Sequence, residues 1–253
     1  MIAVLISVAV AIMMFAGGIA GLFLQRLLPD HHTSERSRDM IGAVVGLVTL
    51  ELALVLGTLI GSAFGFYSTQ KSELETLAAR SLQLDMALVR YGPEAQPLRA
   101  GMRQEIDRAY RTFWGGGDID AKSLHVAALL PSLRALEDGL DALKPATEAQ
   151  KQLVANAGAQ AGLIEQTRLL MTLQLASPIS WPLLVIVVSW SVFLFCGFGL
   201  LSRINSTTIA ALGVGAFGVA SAIFLILELS EPYTGLFPIP PAALEQTLEA
   251  LNP

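Results

Sequence analysis

The sequence predicts an all-α, polytopic membrane protein with four transmembrane helices and a soluble helical insert between the second and third. Three observations carry that expectation. Charged residues make up 15% of the 253-residue chain and the mean hydropathy is +0.59, against about 25% charged in ordinary soluble domains. The charge is also unevenly spread, because residues 67–177 hold 12 of the 16 Lys/Arg and 13 of the 21 Asp/Glu. Finally, four stretches stay apolar over about 20 residues, the length a helix needs to cross hydrocarbon, and no stretch alternates as a strand would.

The first span is expected at Ile2–Leu24. It has no basic leader and no small-x-small cleavage site, so a retained helix fits better than a signal peptide. The others are expected at about 40–66, 181–201 and 209–229, giving two hairpins with short polar turns. The domain organisation follows: 1–66 first transmembrane hairpin, 67–177 helical insert, 178–230 second hairpin, 231–253 amphipathic tail. Trp181 is placed as an interfacial anchor.

Within the insert, Leu74, Leu77, Ser81, Leu84, Leu88 and Tyr91 recur at alternating three- and four-residue steps, the stripe of a helix packed on one side. No proline lies between Met40 and Tyr91, so the second span is expected to continue into this stripe as one rod. Leu98, Met102, Ile106, Tyr110 and Phe113 mark a second amphipathic helix, and the glycines at 115–117 a loop. A short helix is expected over Ser132–Leu143, and a longer one from Thr147 to Leu175. Thr147 and Gln150 read as a capping box. Pro240-Pro241 starts a tail helix striped by Leu244, Leu248 and Leu251.

Chemistry is sparse. Glu51 lies amid apolar residues in the second span, where a carboxylate costs about 2.5–3.5 kcal/mol on the insertion scale for Asp. Thr58 and Ser62 fall within about 40° of it around the helix. Two readings stand: a polar lining with Glu51, Thr58 and Ser62 along an ion path, or a protonated Glu51 bonded to a neighbouring helix. Ala53, Gly57, Gly61 and Gly65 repeat every four residues, as do Gly17/Gly21 and Gly42/Gly46, the pattern by which helix backbones approach closely in lipid.

Residues 213–218 match G-x-G-x-x-G letter for letter. With no strand before them they read as helix packing, not a nucleotide site. His31 and His32 lack metal-binding spacing and read as a solvated loop. The lone Cys196 reads as a small buried hydrophobe. Arg168 faces inward on its helix and is expected to pair with Glu75 or Asp85. Glu228, Glu231, Pro232 and Gly235 read as a membrane-exit motif, with Glu228 at headgroup depth. No catalytic residue, metal or cofactor is expected, nor nucleic acid as a partner. Expected partners are the lipid bilayer, ions and further copies of the chain.

The stretches LPDHHTSERSRD, LALVLGTLIGSAFGFYSTQKSEL, LDMALVRYGPE and AIFLILELSEPYTGL together resemble the bacterial bestrophin-like membrane proteins. The last resembles a Leu-Glu-Leu-Asp-x-Pro-Phe-x-Gly motif through Leu227, Glu228, Leu229, Pro232 and Gly235, with Ser230 in place of the aspartate and Tyr233 in place of the phenylalanine. The resemblance implies a distant relation to bestrophins, pentameric anion channels with four membrane helices per subunit. It points to an oligomeric ion channel in a bacterial inner membrane. The alternative is a non-conducting scaffold or sensor whose helical insert binds a partner. Arg26, Arg36, Arg38 and Arg203 in the hairpin turns favour cytoplasmic turns by the positive-inside rule; the resemblance implies the opposite orientation.

Overall fold

The computed structural model describes residues 2–28, 35–115, 126–175 and 181–251, with backbone alone for 126–129. These residues form α1 (Ile2–Leu27), α2 (Glu35–Tyr91), a 3-10 turn (Pro93–Ala95), α3 (Gln96–Trp114), α4 (Val126–Asp141), α5 (Glu148–Leu175), α6 (Trp181–Leu201), α7 (Ser206–Leu229) and α8 (Ala242–Ala250). No strand occurs among the described residues. Helices α1, α2, α6 and α7 are each long and apolar enough to span a membrane. The chain divides into two compact units, Met1–Phe66 with Ile179–Glu231, and Tyr67–Pro178 with Pro232–Pro253. The first is the membrane unit and the second the helical unit.

In the membrane unit α1 packs against α6 and α7. Lipid tails are as apolar as leucine, so close van der Waals fit, more than water exclusion, holds these helices together. The fit comes from glycine. A Cβ on Gly17 would stand 2.9 Å from the Val192 carbonyl oxygen; one on Gly21 would overlap the Cys196 carbonyl, and one on Gly199 the Gly18 carbonyl. Val10, Met14 and Leu22 of α1 close around this contact with Val187, Leu194 and Phe195 of α6 and Leu212, Ala216 and Ile223 of α7. Buried Ser7 and Ser191 donate to their own Ala3 and Val187 carbonyls, so neither leaves a bare hydroxyl in hydrocarbon.

Helix α2 joins through one side. Val48, Leu52, Val55, Leu56 and Leu59 reach the same core, Val45 lies against Gly197, and Arg38 donates to the Leu201 carbonyl at 2.7 Å. That last contact caps the C-terminal end of α6 with a cation, where orphan carbonyls and the helix dipole favour one.

The helical unit is held differently. Leu84 and Leu88 of α2 are buried with Met102 of α3, Leu140 of α4 and Ala157, Ala161 and Ile164 of α5. Full burial of each large side chain stabilises by about 1.5–3 kcal/mol. Helix α2 ends after Tyr91 because Gly92 takes φ 128° and ψ −173°, backbone open only to glycine, and Pro93 follows. The Thr147–Gln150 box forms reciprocally. The Gln150 amide donates to the Thr147 hydroxyl at 3.1 Å, and the Gln150 side-chain oxygen accepts from the Thr147 amide at 3.3 Å.

Some boundaries differ from expectation. Helix α4 starts at Val126, five residues before Pro131, which it contains; the sequence reading begins it after the proline. Asn205 is the N-cap of α7, accepting from the Thr208 amide at 2.6 Å, so that helix starts earlier than 209. On α8 the buried face carries Leu244, Thr247 and Leu251, with Leu248 only partly covered. His31 and His32 lie outside the described residues.

Candidate functional site

The polar line on α2 is set by where its neighbours are. At 3.6 residues per turn, the inward row of Val48, Leu52, Val55 and Leu59 puts Glu51, Thr58 and Ser62 roughly a quarter turn away. All three are exposed within the protomer. The Glu51 carboxylate has no partner among the described residues. Thr58 donates to the Val55 carbonyl at 2.8 Å, which satisfies its hydroxyl within the helix and leaves an oxygen facing outward.

The other uncovered side of α2 is small and apolar. Ala53, Gly57, Gly61 and Gly65 are exposed, and a Cβ on any of these glycines would meet nothing within 4 Å. These residues therefore do not pack helices inside the protomer. Gly17 and Gly21, with the same spacing, do. Gly42 only just reaches Leu201, Gly46 touches nothing, and Gly215 makes room for the Phe195 ring. Cys196 is half-buried, and its backbone carbonyl faces Gly21.

The exit motif is more enclosed than its sequence suggests. Glu228 is only 3% exposed and Ser230 4%, so protein encloses both at the end of α7. The Ser230 hydroxyl donates to the Ile226 carbonyl at 2.7 Å, finishing α7. Glu231 is exposed, Pro232 is buried, and Gly235 turns the chain at φ 93°. The Ile239 amide then donates to the Pro232 carbonyl at 2.8 Å, closing the loop.

Within that loop begins a constellation that spacing did not reveal. The Tyr233 ring sits against Phe113 and edge-on to Trp114, whose indole N–H donates to the Ile239 carbonyl at 2.8 Å. The Tyr233 hydroxyl donates to Gln70 at 3.2 Å, Gln70 to Gln174 at 2.6 Å, and Gln174 to the Glu73 carboxylate at 3.0 Å. The other Glu73 oxygen is buried without a hydrogen bond. Burial pushes the Tyr233 phenol well above its ordinary range, and the Glu73 charge adds to the shift. One signal was available: Gln70 sits four residues before Leu74, so extending the apolar stripe by one step lands on a buried amide.

Arg168 pairs with neither expected carboxylate. Asp85 holds Arg99 through two bonds of 2.6 and 3.1 Å. That hydrogen bond raises the Arg99 pKa more than burial lowers it. Burial lowers the Arg168 pKa, opposed only by the field of Glu105, which itself pairs with Arg108. No cluster of three His, Cys, Asp or Glu suited to a metal occurs among the described residues.

A family model described as the Bestrophin-like domain matches residues 11–244. No curated protein and no solved structure matches the chain.

Proposed function

This chain belongs to the bestrophin-like family, and from that premise we propose that it is a homo-oligomeric anion channel whose path runs along the polar line of α2, in a bacterial inner membrane. The observation that carries the reading is Glu51, a carboxylate without a partner in an apolar span, in line with Thr58 and Ser62 on a face that the protomer leaves uncovered. Such a group facing lipid is costly. Facing water on the axis of an oligomer, it is not. The glycine row, about a quarter turn further round on the side away from the core, then meets the neighbouring copy, where small residues permit close backbone contact.

A ring of Glu51 carboxylates along the path repels anions, so the charge at this position is expected to limit anion flux. Purified protein in liposomes tests this directly. Chloride flux should exceed the empty-vesicle leak, and Glu51→Gln should raise it. Tight liposomes holding intact oligomers would overturn conduction and favour a scaffold or sensor. Unchanged flux in Glu51→Gln would remove Glu51 from the path.

A further inference from the structure

The loop that follows the last membrane span is fixed at its base and apolar at its tip. Tyr233 and Ile239 hold the base, buried in one cluster with Leu74 and Met171. The Ile239 amide donates to the Pro232 carbonyl at 2.8 Å, and the Trp114 indole donates to the Ile239 carbonyl at 2.8 Å. Between these anchors the chain turns at Gly235, with φ 93°, and residues 234–238 are all exposed. At the tip Leu236 is 66% exposed and Phe237 54%. No charged residue lies between Glu231 and Glu245. A loop closed at its base thus presents two large apolar side chains on an uncharged surface.

Chain connectivity keeps this tip near the bilayer. Helix α7 has 24 residues, about 36 Å at 1.5 Å per residue, against about 30 Å of hydrocarbon, so it ends at headgroup level. Leu236 follows Leu229, the last residue of α7, by seven positions, a reach of at most about 25 Å even when fully extended. The cluster at the base of the loop points the same way, because it gathers residues from all three crossings between the units. Tyr67 is the first residue of the helical unit, Leu175 lies three before Pro178, and Tyr233 lies two after Glu231. An exposed apolar pair in water marks an interaction surface, and Leu and Phe are side chains that bury into the boundary between headgroups and acyl chains. We infer that the loop 234–238 is a lipid-surface anchor, with Leu236 and Phe237 inserted at that boundary on the side where α7 ends. The loop holds no cation, so the anchor does not select anionic lipid.

The inference rests on the membrane spans and not on conduction, and it is tested on the full-length protein in liposomes. With Cys196→Ala removing the native thiol, Leu236→Cys and Phe237→Cys each take a nitroxide label, as does Gln246→Cys on the exposed face of α8 as a control. Oxygen concentrates among acyl chains and a nickel chelate stays in water, so their relative effect on the relaxation of the label reads its depth. The oxygen-to-nickel ratio at 236 and 237 should exceed that at 246 severalfold, equally in phosphatidylcholine and phosphatidylglycerol vesicles. A ratio at both tip positions no higher than at 246 overturns the inference, because the tip then stands in water. Exclusion of both reagents, with spin–spin broadening between labels, overturns it too, because a second copy then covers the tip. So does a high ratio confined to phosphatidylglycerol, which would make lipid charge and not apolar insertion the cause.

Discussion

The two units hold their helices together by opposite means. In the membrane unit α1 and α6 approach until only a glycine fits, with backbone against backbone at Gly21 and Gly199. In the helical unit a core of large apolar side chains is joined by polar side chains that reach from helix to helix: Arg99 to Asp85, Gln70 to Gln174, Tyr110 to Glu245. The solvent explains the difference. Water rewards the burial of large apolar side chains and screens the charges at the rim. Lipid rewards neither, so contact area must come from shape. Helix α2 belongs to both units. Its membrane part keeps a glycine row with nothing beside it, while the part in the helical unit buries Leu74, Leu84 and Leu88.

The contrast can be pressed from its strongest contact downward. Asp85→Ala removes both hydrogen bonds to the partly buried Arg99 guanidinium, and a loss of about 1.5–3 kcal/mol is expected from denaturation of the purified chain. Gly21→Ala should cost about 1–3 kcal/mol, because the overlap is with backbone and no rotamer relieves it; thermal melting in detergent reads this. An equally large loss at both glycine rows would mean that the two rows do the same job.

Next comes an alkaline effect confined to the helical unit. Folding raises the Tyr233 pKa, so the unfolded phenol loses its proton first. The stability this group contributes is complete below about pH 10, the ordinary phenol value, and falls as pH climbs beyond it. Trp114 fluorescence in a chain lacking Trp181 and Trp190 should follow the loss, and Tyr233→Phe should remove that pH dependence. Thr147→Ala should cost about 1 kcal/mol through the α5 cap, seen as a small downward shift in melting. Gly61→Ala stands at the bottom of the scale. It should move protomer stability by no more than about 0.5 kcal/mol, yet shift the oligomer distribution in cross-linking.

How much was legible in the chain follows from the same physics. The four spans could be read because lipid leaves the backbone no partner but itself, so long apolar runs must coil. The fate of each glycine row could not. Gly17/Gly21 and Gly57/Gly61 have identical spacing, and only the position of α6 separates a filled contact from a bare one. The leucine stripe marks α4 only from Ser132 onward, while the helix itself begins at Val126 and holds Pro131 near its start, where a proline costs one hydrogen bond and a local clash one turn back. The burial of Glu228 depends on packing that a single strand of letters does not encode. Gln70 and Gln174 are a hundred residues apart and became partners only through the fold.

The dependence of α1 on α6 also bears on how the molecule is made. Between Leu27 and Trp181 the ribosome must deliver the whole of α2 through α5, which at about 5–20 residues per second takes roughly 8–30 s. Throughout that interval the glycine face of α1 waits in the bilayer without the helix it was shaped for. Assembly of the membrane unit is therefore completed late in synthesis, and a chain truncated before α6 would leave that face open to whatever other helix drifts by.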